Sequence, residues 1–240
     1  MNKGAIAHNI KRQTIMKLNT IEKYLLLAQH PTKGRSIYGQ YVNYGTIGAI
    51  LLEVSLNDGV SIENKLLILK ENIEFENPVL LDIANLIRSS EKPRKIKHWI
   101  NKLVRKPRKY KWPFLNELEN KKVIRIENKK FLGLFPYRKC YLIENAIRES
   151  LIQDIKTSIL NNHELNNEEI VILGLVEACK MHKIISSEKK ELKTIKRELK
   201  LILKENPIAG TVAKTIKDVQ TAITIAIVTS TIAASSASSS

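Results

Sequence analysis

Residues 41–56, YVNYGTIGAILLEVSL, read as one long helix. Ile47, Ile50, Leu51 and Val54 recur at three and four residues, the spacing that turns one helix face toward a core. Gly45, Gly48 and Ala49 allow a neighbouring helix to approach closely, and Asn57-Asp58-Gly59 ends the run. Towards the N-terminus, Ile21 to Ala28 forms a shorter helix capped by Asn19-Thr20 and ended by the stretch from His30 to Gly34. Residues 1–15 form a short arm.

Towards the C-terminus, Val60 to Ile62 and Leu66 to Leu69 pair as a hairpin around Glu63-Asn64-Lys65. Helices follow at Pro78–Ser89, Arg94–Lys106 and Phe114–Asn120, with Pro107 stopping the second. A second hairpin joins residues 123–127 to 131–135, turning at Asn128-Lys129-Lys130. Helices then cover Ile143–Leu160, Glu168–Met181, Glu188–Glu205 and Gly210–Ala234. Nine Gly and seven Pro are few for 240 residues and disfavour an all-β fold. The expected fold class is therefore mainly α: a single globular multi-helix domain over 16–234 with one or two short β-hairpins, ahead of a disordered tail at 235–240. From Val219 onward there is no charge, but Gln220 and interspersed threonines dilute the apolar character, so this segment reads as a buried core helix and not a membrane span.

Lysine and arginine outnumber aspartate and glutamate 40 to 24, a formal charge of +16. Such an excess points to nucleic acid, an anionic membrane or an acidic protein as partner. It is unevenly spread: Lys92 to Lys111 holds ten bases in twenty positions and no acid. Ile96, Trp99, Ile100 and Leu103 are interleaved at helical spacing and anchor the block to a core, leaving Arg94, Lys95, Lys102, Arg105 and Lys106 as a basic patch. Nearby, Phe131-Leu132-Gly133-Leu134-Phe135 is an apolar run bracketed by Lys129-Lys130 and Arg138-Lys139, a composition suited to shallow insertion below lipid headgroups.

Catalytic patterns are missing, so no enzyme activity, cofactor or metal is expected. There is no phosphate-binding loop and no nucleophile elbow, and Cys179-x-x-His182 has no second pair of ligands to complete a zinc site. Two cysteines make no disulfide framework, and the first fifteen residues carry no apolar run of signal length, which suits a cytoplasmic location.

Several blocks, in order, make the chain resemble the Golgi phosphoprotein 3 family. They are Tyr24-Leu25-Leu26-Leu27-Ala28 with Gly34 after it, Gly48 to Leu56, Lys92 to Ile100, Lys130 to Pro136, and the alanine- and threonine-rich segment after Val219-Gln220. The resemblance implies a helical domain with small hairpins that binds membranes peripherally, recognises phosphatidylinositol 4-phosphate in a basic pocket, and inserts and self-associates through an apolar hairpin. It puts the pocket aromatic at Tyr38, where the family pattern has Trp, and two pocket bases at Arg108 and Lys111. It puts the hairpin pair at Phe131 and Leu132, and a further pocket arginine at Ile47, where the base is lost.

Two or more close cations and an apolar wall suit a phosphate monoester. Arg108, Lys109 and Lys111 can supply the cations, and Tyr38 or Trp112 the wall. The expected partners are anionic membrane lipids, with other proteins or a second copy of the chain as further partners. The alternative is a winged-helix-like nucleic-acid-binding module using the same basic patch.

Overall fold

The computed structural model describes residues 15, 17–39, 41–56, 60–63, 66–70, 74–161, 165–205 and 218–225. The elements are α1 (Thr20–Ala28), α2 (Tyr41–Leu56), β1 (Val60–Glu63), β2 (Leu66–Leu69), α3 (Pro78–Arg88), β3 (Arg94–Lys95), α4 (Ile96–Leu103), α5 (Pro107–Asn120), β4 (Ile124–Phe131), β5 (Phe135–Leu142), α6 (Asn145–Leu160), α7 (Asn167–Ala178) and α8 (Lys189–Glu205). Residues 218–225 are also helical. The mainly α single-domain architecture expected above is thus observed.

Helix α2 is the centre of the packing. It touches α1, α3, α4, α5 and α7, and Val42, Ile47, Ala49, Ile50, Leu51, Leu52 and Val54 are all buried. A helix apolar around most of its circumference is one that other helices enclose. The small residues serve as expected. A Cβ on Gly45 would lie 1.8 Å from the Tyr24 hydroxyl, and one on Gly48 would lie 2.6 Å from Cδ1 of Ile223. The second contact brings residues 218–225 into the core, where Val219, Ala222 and Ile223 are buried. Among the described residues no helix is long and apolar enough to cross a membrane.

Helix starts follow the side chains present. Asn19 with Glu22 and Asn166 with Glu169 form capping boxes on α1 and α7, and Asn77 caps α3 ahead of Pro78. Two buried charges are matched by partners: Glu22 is buried and accepts from Nζ of Lys121 at 2.6 Å, and Lys23 meets Glu168 at 2.7 Å. Arg148 on α6 is buried and donates through Nε and Nη2 to the Leu27 carbonyl, at 3.3 and 3.1 Å.

Three expectations are corrected. Pro107 opens α5 instead of standing between two helices, because proline's missing N–H costs nothing at a first helical position. Arg94 and Lys95 are not helical but pair antiparallel with Leu67 and Leu66, making a three-stranded sheet of order β1-β2-β3. The second hairpin turns at Leu132-Gly133-Leu134, with eight cross-strand pairs from Ile124↔Leu142 to Phe131↔Phe135. Asn128-Lys129-Lys130 therefore continues β4, because the residues able to turn the chain lie further on: Leu132 and Gly133 have φ of 50° and 72°, and the Leu134 N–H donates to the Phe131 carbonyl. Of the arm expected at 1–15 only Ile15 is described, and it is buried in the core. Residues 226–240, including the tail expected at 235–240, lie outside the described residues.

Candidate functional site

The β4–β5 hairpin is fixed at its root and free at its tip. Ile124 and Cys140 are buried. The Ile126 N–H donates to Oε1 of Glu119 at 2.6 Å, and the Cys140 N–H donates to the Gly34 carbonyl at 3.0 Å. Gln29 Nε2 donates to the Cys140 carbonyl. Gly34 is required here: its φ is +60°, and a Cβ would stand 2.7 Å from the Tyr141 ring. From that root the strands run eight residues, about 27 Å at the usual rise.

At the tip, Phe131, Leu132, Leu134 and Phe135 are 61, 75, 76 and 63% exposed. Bulky apolar side chains normally go inward, and a contiguous exposed group of them marks an interaction site. Leu132 also holds a left-handed backbone conformation, which costs a branched residue of order 1 kcal/mol. The exposure of all four tip side chains leaves little packing to offset that cost. Lys129 and Lys130 precede the tip on β4, and Arg138 and Lys139 follow it on β5.

The basic segment lies along α4 and the start of α5. Lys95, Lys102, Arg105, Lys106 and Arg108 are exposed and Arg94 is half-buried, while Trp99, Ile100 and Leu103 anchor α4 in the core. Among the described residues no carboxylate pairs with any of these six bases. Helices α4 and α5 start at Lys95 and Lys106 with no side-chain cap and no acid in the first turn. The positive ends of both helices therefore face more positive charge, an arrangement that favours an added anion. His98 registers the same field: its imidazole is held below the usual value by burial and then by the Arg94 and Lys102 charges.

Where hairpin and helix meet there is a groove of about 430 Å³ lined by Arg108, Trp112, Asn128, Pro136, Tyr137 and Arg138. Among the described residues no carboxylate lines it. The Arg138 guanidinium carbon is 4.9 Å from the centre of the Trp112 ring, a cation–π stack. A second groove, of about 440 Å³, is lined by Leu66, Pro93, Arg94, Lys95, Lys97, His98 and Asn101.

The residues expected to share a headgroup pocket are only partly gathered. Arg108 lines the first groove. Lys109 turns to α3, pairing with Asp82 at 2.9 Å, and that hydrogen bond raises its affinity for its proton. Lys111 turns inward, where Nζ donates to Oδ1 of Asn43 at 3.0 Å and burial lowers its pKa. Tyr38 is half-buried beside Arg148, its hydroxyl pushed up by burial. Ile47 is in the core. Phe131 and Leu132 are outward as expected. Arg138, Asn128 and Tyr137 were not singled out as groove residues from sequence, because a turn placed at Asn128-Lys129-Lys130 hides the register that sets Asn128 opposite Arg138. Cys179 contacts the Tyr24 hydroxyl at 3.4 Å while His182 meets Glu177 at 2.6 Å, so the two do not converge.

Against known proteins, the family model described as Golgi phosphoprotein 3 (GPP34) matches residues 21–219, well over half of the chain. No curated protein matches the chain.

Proposed function

The chain belongs to the Golgi phosphoprotein 3 family, and on that footing we propose that it is a peripheral membrane protein that binds anionic lipid headgroups and catalyses no reaction. The observation that carries the reading is the hairpin tip, where Phe131, Leu132, Leu134 and Phe135 are exposed at the end of a paired, cationic ribbon. Removing a Phe or Leu side chain fully from water contributes roughly 1.5–3 kcal/mol. Each base near an anionic surface adds about 1 kcal/mol. Neither contribution holds a protein on a membrane alone, but together they give reversible docking. Phosphatidylinositol 4-phosphate is the ligand that the family resemblance suggests, and other anionic lipids offer the same charge. The exposed tip also suits self-association, and the basic surface suits an acidic protein partner.

Flotation with three vesicle types, in physiological salt, tests the reading: phosphatidylcholine alone, with added phosphatidylglycerol, and with added phosphatidylinositol 4-phosphate. The protein is expected to float with both anionic mixtures and to stay down with the neutral one. Retardation of duplex DNA by protein that floats with no vesicle would overturn the proposal in favour of the nucleic-acid reading. The apolar tip favours lipid, because a phosphate backbone offers it nothing to bury against.

A further inference from the structure

The family resemblance pairs Arg108 with Lys111, but in this chain the Lys111 ammonium is committed to Asn43 and turned inward. The base lost at Ile47 is not restored at that position either, since Ile47 is buried. Arg108 nonetheless has a cationic companion. Arg138, from β5, lines the same groove, and among the described residues nothing acidic lines it with them. The hairpin's own Glu127 is occupied by Arg125 at 2.7 Å and Lys129 at 2.8 Å. We propose that Arg138 and Arg108 together grip one phosphate monoester in the groove between α5 and the hairpin, with Trp112 as its aromatic wall; this rests on the membrane-docking reading for the source of that phosphate.

Three features favour this pair. The Arg138 guanidinium lies over the Trp112 ring, which restrains the side chain so that less freedom remains to be lost on binding. Asn128, directly opposite Arg138 in the ladder, adds an amide donor to the same groove. Two guanidinium side chains lining one groove match a dianionic monoester, with three terminal oxygens, better than a monoanionic diester. The arrangement also links the two halves of the site. Arg138 is three residues from Phe135 on the same strand, so a captured phosphate sets the angle at which the tip meets the bilayer.

The test compares the full chain with Arg138→Ala, Arg138→Lys, Arg108→Ala and Lys111→Ala, all verified as folded by circular dichroism. Each is floated with vesicles containing phosphatidic acid, a monoester, and with vesicles containing phosphatidylglycerol, a diester, at matched surface charge. A parallel calorimetric titration uses glycerol 1-phosphate, the monoester headgroup without chains. Wild type is expected to prefer the monoester vesicles by about 10-fold, the scale of one charge-assisted hydrogen-bond pair. Arg138→Ala, Arg138→Lys and Arg108→Ala are expected to lose that preference while still floating with phosphatidylglycerol, and Lys111→Ala is expected to keep it. Wild type that floats equally with both vesicle types overturns the proposal and leaves the membrane reading standing, as does a preference lost in Lys111→Ala but kept in Arg138→Ala. Arg138-dependent binding of glycerol 1-phosphate by protein that floats with neither vesicle upholds the phosphate grip and rejects the lipid as its source.

Discussion

Helices α1 and α7 begin with capping boxes and their charges are matched: Glu22 accepts from Lys121, and Lys23 reaches Glu168. Helices α4 and α5 begin at lysines that cap nothing, and Arg94, Lys95, Lys102, Arg105, Lys106 and Arg108 have no carboxylate partner among the described residues. Apolar side chains divide the same way. Around α2 the leucines and isoleucines are enclosed, whereas at the hairpin tip they face solvent. The chain contains the residues needed to cap and neutralise a helix, yet α4 and the start of α5 go without them. The cationic, greasy side is therefore not a by-product of a lysine-rich composition. Leaving those two helix starts uncapped gives up stability, and such a concession is expected where a surface serves binding.

The difference can be broken first from the packed side. Gly45→Ala forces a methyl group onto the Tyr24 hydroxyl and is expected to cost about 3 kcal/mol, lowering the melting temperature by about 6–12 °C. The exposed side should behave oppositely. Phe131→Asp combined with Leu132→Asp is expected to lower partitioning onto anionic vesicles by about 100-fold, the loss of two buried side chains. The melting temperature should move by less than about 2 °C, since both residues are solvent-facing. A collapse of the melting temperature would mean that the tip is part of the fold.

A smaller effect follows from the patch. Neutralising Arg105 and Lys106 to alanine removes two charges worth about 1 kcal/mol each near an anionic surface. Binding should weaken by about 30-fold in low salt and by less as ionic strength rises. The smallest signal is His98. Burial comes first among the causes that disfavour its charged form, and the Arg94 and Lys102 charges add to it. An anionic surface offsets that field, so the imidazole titration followed by nuclear magnetic resonance should move to higher pH when phosphatidylglycerol vesicles are added. A titration unmoved by bound vesicles would place the patch away from the membrane.

Most of the frame was legible in the chain. Residues 41–56 read as a helix with both ends as observed, because periodic apolar residues and a terminal Asn-Asp-Gly are local signals. The misreadings have different causes. Arg94-Lys95 carries no strand signal of its own and becomes one by pairing with Leu66-Leu67. The hairpin turn falls at Leu132-Gly133, where a leucine in the left-handed region defeats an expectation built on Asn and Lys. For the site, the apolar tip and the basic block were visible as composition. The direction of each base was not: spacing alone cannot say that Lys109 finds Asp82, that Lys111 finds Asn43, or that Arg138 crosses to Trp112.

The central claim is that the hairpin tip enters the bilayer. A nitroxide attached at Leu132→Cys reports this directly. The native cysteines do not compete, since both are buried and their thiols are pushed up, to about 11 for Cys140 and about 12 for Cys179. With the protein bound to phosphatidylglycerol-containing vesicles, power saturation should show the label shielded from a water-soluble relaxant and accessible to oxygen, below the headgroups. A label that stays open to the aqueous relaxant while the protein is fully vesicle-bound would contradict the account.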